Sequence, residues 1–197
     1  MKLSHSSIVV GVTLGLFVLL LAACGGDDGD AGTSATPTGA AFDRAFIDAM
    51  VPHHESAIAM ARAAKDAGLS QPGLVAVAAD ILATQQSEID QMKDWRGEWF
   101  GSRAIDPNGA TALGLSGSEM GMGMEHDADA LRSSGDVDAD FAQMMITHHQ
   151  GALLMARLAD DRAEHDQLKE LAERIIGAQE REIEIMRPHA GGTMDHG

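Results

Sequence analysis

Apolar positions recur at intervals of three and four over four stretches of this chain, the period of a helix with one buried face. The first stripe runs over 42–67 through Phe42, Phe46, Met50, His53, Ala57 and Met60. Asp43 is available near its start as a cap. Pro52 removes one helical hydrogen bond and crowds the carbonyl of Asp48, which predicts a kink just before His53. Gly68 to Gly73, containing Ser70 and Pro72, breaks the pattern. A second stripe follows through Leu74, Ala78, Ile81, Gln85, Ile89, Met92 and Trp95, with Asp80, Glu88, Asp90 and Lys93 on its other side. A third helix is predicted over 137–164. A fourth covers 166–187, striped by Leu168, Leu171, Ile175, Gln179, Ile183 and Met186 and ended by Pro188.

The third and fourth stretches repeat the first and second. Met50-Val51-Pro52-His53-His54 returns as Met145-Ile146-Thr147-His148-His149, and Met60-Ala61-Arg62 as Met155-Ala156-Arg157. Upstream, Asp43 and Phe46 match Asp138 and Phe141. In the second helix of each copy, Gln85, Glu88, Ile89 and Met92 match Gln179, Glu182, Ile183 and Met186, after a turn one residue shorter. A hairpin alone exposes its apolar stripe, whereas two hairpins face to face bury it. The predicted fold is therefore all-α, a four-helix bundle of two duplicated hairpins over 42–190.

Outside that repeat the pattern changes. Residues 1–23 join a basic Lys2 to an apolar run from Ile8 to Ala23, as in an export signal. The run ends in Leu21-Ala22-Ala23-Cys24, which resembles a bacterial lipobox, so Cys24 is the expected lipid attachment point. A diacylated Cys holds a protein on a membrane surface. Residues 24–41, rich in Gly, Asp, Ala, Ser and Thr, form the expected flexible tether, and 191–197 a flexible tail. A Gly-rich connection without clear periodicity spans 97–137 and contains Met120-Gly121-Met122-Gly123-Met124-Glu125-His126; its length predicts a mobile segment.

Composition narrows the chemistry. Tyr is absent and aromatics make up 4%, so the core must come from Ala, Leu, Ile, Val and Met, which suits helices. A net charge of -16 repels nucleic acid and attracts cations. With one cysteine, neither an internal disulfide nor a thiolate metal cluster can form.

On a helix Met50, His53 and Met60 share a face with His54 at its edge, and Met145, His148, Met155 and His149 repeat the arrangement. Imidazole binds copper, zinc, iron and nickel, while a thioether selects copper(I). A set of His and Met without Cys points to copper in either oxidation state, with zinc as the other candidate. Met120, Met122, Met124 and His126 add a third group of such donors, because exposed Met in a Gly-rich loop buries little apolar surface. A Met stripe at helical spacing is more often core than ligand, because Met fills irregular gaps between helices, and the Met-Gly segment also reads as plain linker. Glu88, Glu182, Gln85 and Gln179 are either ordinary helix-face residues or groups that orient the imidazoles. Di-iron bundles need Glu three residues before a ligand His. Here Met50, Val51, Met145 and Ile146 stand there, and no phosphate loop, nucleophile elbow or His-Glu-x-x-His is present. Nothing in the motifs motivates an enzyme.

The doubled Met-x-x-His-His-x-x-Ala-x-x-Met, with Gln85-x-x-Glu88-Ile89-x-x-Met92 and its second copy, resembles the bacterial family known as domain of unknown function 305. That resemblance implies a ferritin-like helical fold in an exported protein, with some members implicated in periplasmic copper binding and copper resistance. It implies metal ligands among Met50, His53, His54, Met60, Met145, His148, His149 and Met155. Thr147 stands where the first copy has Pro52, so the two copies need not be equivalent.

Together these features lead to an expected function: a lipid-anchored protein of the bacterial cell envelope, outside the cytoplasm, that binds, buffers or sequesters copper. The alternative is a non-catalytic envelope interaction module whose His pairs are hydrogen-bonded core. A metal-dependent redox enzyme is the third reading. Metal ions and the membrane are the expected partners, and no protein partner can be named from the residues.

Overall fold

A computed structural model describes residues 37–123 and 128–191. The export signal, Cys24 and most of the tether lie outside the described residues, as does the tail beyond Gly191. Four long helices form the bundle: α1 (Ala40–Ala67), α2 (Pro72–Phe100), α5 (Val137–Arg157) and α7 (Asp166–Met186). Short helices α3 (Gly109–Ala112), α4 (Ala128–Arg132) and α6 (Ala159–Arg162), and a 3-10 turn over Arg187–His189, decorate the connections. Helix α1 packs on α2 and α5 on α7, while α1 against α5 and α2 against α7 join the hairpins. This is the expected four-helix bundle of two hairpins. Among the described residues no helix is long and apolar enough to cross a membrane.

The predicted stripes are the buried faces. Phe42, Phe46, Met50, Ala57 and Met60 of α1 meet Leu74, Ala78, Ile81, Ile89 and Met92 of α2, and the second hairpin repeats this with Phe141, Met145, Met155, Leu171, Ile175 and Met186. Burying such side chains contributes about 1.5–3 kcal/mol each, before the opposing entropy of ordering them. Helix ends follow local chemistry. Gly68, at φ 100°, closes α1 with its N–H on the Ala64 and Lys65 carbonyls, and Pro72 opens α2. Asp136 caps α5 by accepting from the Ala139 N–H.

Asp43 does not cap its own helix. It is fully buried and accepts from the backbone N–H of Glu164 and His165, both at 3.0 Å, and from His165 Nδ1 at 2.6 Å. It thus caps the start of α7, in the other hairpin. Asp138, its counterpart, accepts from Ser70 N, Ser70 Oγ and Gln71 N, at the start of α2. Burial would raise the Asp138 carboxyl, but those donors hold it below its ordinary value. Each hairpin therefore caps the other. The His165 ring also stacks on Trp99, with centroids 3.8 Å apart, tying the end of α2 to the same corner.

Two sequence expectations need correcting. The third helix ends at Arg157, and a turn at Leu158 separates it from α6. The connection, expected to start at residue 97 without regular structure, starts after α2 closes at Gly101 and folds back over the bundle, with α3 and α4 on α1. Buried Asp48 anchors it by accepting from Arg96 Nε at 2.8 Å, from Arg96 Nη2 at 3.2 Å and from the Asp106 N–H.

Candidate metal centre

The two His pairs lie at one level of the bundle, all four rings buried. Adjacent residues on a helix point about 100° apart, so each pair splits its rings, with centroids 6.5 Å apart in both copies. His53 and His148 turn towards each other across the α1–α5 contact, with ring centroids 3.7 Å apart. His54 and His149 turn towards the second helix of their own hairpin. There His54 Nε2–H donates to Glu88 Oε2 at 2.8 Å, and His149 Nε2–H to Glu182 Oε2 at 2.6 Å. Of the readings left open for Glu88 and Glu182, orientation of an imidazole is the one their geometry fits. Met50, Met60, Met145 and Met155 are buried on the same helices.

These hydrogen bonds choose the tautomers. A carboxylate accepts only, so Nε2 of His54 and His149 carries a proton, and in the neutral tautomer this selects it is Nδ1 that holds the lone pair. His53 behaves likewise: its Nε2–H donates to the Met120 carbonyl at 2.9 Å. Burial, reinforced by neighbouring His54, pushes His53 down from 6.5 to about 3, so it is neutral at physiological pH. The Nδ1 atoms of His53, His54 and His149 have no hydrogen-bond partner, nor do Gln85 Oε1 and Gln179 Oε1. An unsatisfied buried polar atom costs about 1–3 kcal/mol, and native proteins leave few. Five fall on these His and Gln residues. Among the described residues no three His, Cys, Asp or Glu side chains are grouped to hold a metal ion. Imidazoles, with buried thioethers on the same helices, are the soft donors this part of the bundle holds.

Met120 and Met122 belong to this site's surroundings. Instead of being exposed, Met120 is 6% exposed and Met122 half-buried. Residues 120–122 form a strap against α5. Gly121, at φ 65°, lies where a Cβ would meet the Thr147 carbonyl oxygen at 2.3 Å. A Cβ on Gly151 would stand 2.0 Å from the Met120 carbonyl oxygen. Two glycines thus let backbone meet backbone and bring the Met120 carbonyl to His53. Sequence reasoning passed over this contact, although one signal existed: Gly151 breaks the repeat, where the first copy has Ser56. Met124 and His126 lie outside the described residues.

The chain matches the domain of unknown function 305 (DUF305) over residues 30–96 and 69–190. No curated protein matches it significantly. Among solved structures, it is similar to CopM in the Cu(I)-bound form, with 34% identity over 74% of this chain and 93% of that one, at a TM-score of 0.61. CopM in the Cu(II)-bound form gives 32% identity, 75% and 96% coverage and a TM-score of 0.62. A DUF305 fragment from Deinococcus radiodurans gives 26% identity, 77% and 96% coverage and a TM-score of 0.61. With the doubled His-Met motif, the two hairpins and the family match in agreement, the chain belongs to the DUF305 family.

Proposed function

We propose that this protein binds copper in the layer formed by its two His pairs and the neighbouring Met side chains, and that it buffers copper or hands it on outside the cytoplasm. The observation behind this reading is the pair of Glu-oriented imidazoles, His54 with Glu88 and His149 with Glu182, each leaving a buried Nδ1 lone pair unpartnered. A carboxylate behind an imidazole fixes its tautomer and raises its basicity towards a metal. Met50, Met60, Met145 and Met155 supply sulfur for copper(I), and the imidazoles serve either oxidation state. Similarity to CopM, solved with Cu(I), Cu(II) and silver, supports the same choice of metal over zinc. Met120, whose carbonyl accepts from His53, and Met122 in the same strap are further candidate sulfur donors, and by sequence so are Met124 and His126.

The apolar run before Cys24 supports a lipid tether, with Cys24 as the acylated residue on the outer side of the cytoplasmic membrane. Competitive copper(I) titration against a chromophoric chelator under reducing conditions tests the metal assignment. Binding should be lost when His53, His54, His148 and His149 are all replaced by Ala, and unchanged stoichiometry in that variant would refute it. Full burial of four imidazoles also suits the alternative, a structural His core in an envelope interaction module. Under that alternative, copper leaves the melting temperature where it was, whereas a native-state ligand raises it.

A further inference from the structure

We infer that copper enters and leaves the imidazole layer through the groove between α2 and α7, with Glu88 and Glu182 as its inner gateposts. This rests on the copper-binding reading above. The groove encloses about 460 Å³, with Gln85, Glu88, Gln179 and Glu182 among its lining and Thr84 and Gly177 on opposite helices. Glu88 and Glu182, 20% and 12% exposed, each touch both the groove and a fully buried imidazole. One carboxylate therefore separates solvent from His54, and another separates it from His149. One turn before each lies a Gln whose Oε1 is buried and unpartnered.

Among the described residues, the strap covers another approach. On the strap side, the backbone of Met120 and Gly121 lies directly against α5 at Thr147, His148 and Gly151. Met50, Met60, Met145 and Met155, before and after the His pairs on the same helices, are buried as well. The chemistry of the groove also suits a passage. Glu88, Glu173 and Glu182 outnumber Arg174 and Arg181 along its lining, so its carboxylate oxygens attract a cation from solvent but hold copper(I) weakly, while the imidazoles inside hold it better. An ion arriving at Glu88 or Glu182 moves inward as it exchanges hard donors for soft ones. At Gly177 a side chain has room to project: a Cβ there would meet only Arg181 Nη1, at 3.4 Å, the movable end of a side chain.

The test uses the full chain in detergent and the separate variants Gly177→Leu and Thr84→Leu, which add bulk from opposite walls without touching an imidazole. Copper(I) association and dissociation are followed by stopped flow against a chromophoric chelator, and affinity by equilibrium competition. A plug on the path raises one barrier for both directions and leaves the end states alone. Association and dissociation should therefore slow together, by about tenfold or more in at least one variant, with affinity held within about twofold. Unchanged rates in both variants would overturn the inference. So would slower association at unchanged dissociation, because the groove would then be part of the binding site. Failure of the unmodified protein to bind copper is a separate outcome and would remove the function proposed above. Unchanged melting temperatures establish that both variants fold.

Discussion

The rings of His53 and His148 stack across the junction of the two hairpins, with centroids 3.7 Å apart and planes tilted by 37°. Each belongs to its own copy of the repeat, so duplication has placed the inner ring of one copy against that of the other. The contact leaves no room for a shared ion. A metal bonded at about 2 Å to a nitrogen of each ring would hold the centroids farther apart. If both rings bind copper(I), loading must part them. The ring protons of His53 and His148 should then lose their mutual ring-current shifts in one stoichiometric step during an NMR titration. Shifts that persist in the loaded protein would place the metal away from this pair.

Glu88 and Glu182 should govern affinity without governing the fold. Each is partly exposed, so truncation lets water reach its place, but the imidazole loses the acceptor that fixes its tautomer. Glu88→Ala and Glu182→Ala are each expected to weaken copper(I) binding by about 10–100-fold. Chelator competition measures this, and melting temperatures near that of the unmodified protein show that the loss is local.

The reciprocal caps predict an order of stabilities. Asp43 is wholly buried and serves three donors, so Asp43→Ala strands two backbone N–H groups at the start of α7. That should cost about 2–3 kcal/mol. Asp138 is half-buried and water can replace it, so Asp138→Ala should cost about 1 kcal/mol. Urea denaturation gives both values, and equal losses would mean that burial does not distinguish the two caps.

What the sequence revealed, and what it hid, follows from the range of each interaction. The stripes and the doubled His pairs are local or repeated patterns, so the four helices, their pairing and the central layer could all be read from it. Asp43 was read as a cap because its position near a helix start is local, but its partners Glu164 and His165 belong to the other hairpin. The order in the Gly-rich connection is hidden from the sequence for a related reason. Glycine weakens local structure wherever it stands, yet Gly121 and Gly151 are needed because two backbones meet there. The roles of Glu88 and Glu182 stayed open because a helix face does not show which neighbour lies across from it.

Gly151 offers a direct test of the strap. In Gly151→Ala the new Cβ cannot coexist with the Met120 carbonyl oxygen 2.0 Å away, so residues 120–122 must lift from α5. Backbone displacement of this kind costs about 1–3 kcal/mol. Lifting also removes the acceptor of His53 Nε2. Amide exchange at Met122, whose N–H bonds to the Gly117 carbonyl, should accelerate. Unaltered exchange there would show that the strap holds its shape without α5.

His53 should make the metal-free protein sensitive to acid. Its folded value near 3 lies below its ordinary 6.5, so between those limits the unfolded chain binds a proton that the folded one does not. The sign follows: this contribution is fully present above pH 6.5 and is lost as pH falls from 6.5 towards 3. Each unit of pH within that window should remove about 1.4 kcal/mol through this one group. Urea denaturation of metal-free protein between pH 7 and pH 4 measures the slope. In His53→Gln the amide can still donate to the Met120 carbonyl but cannot titrate, so the slope should fall by one proton's worth. A slope unchanged by that substitution would mean that His53 protonates inside the folded bundle, and that its burial is looser than the structure describes.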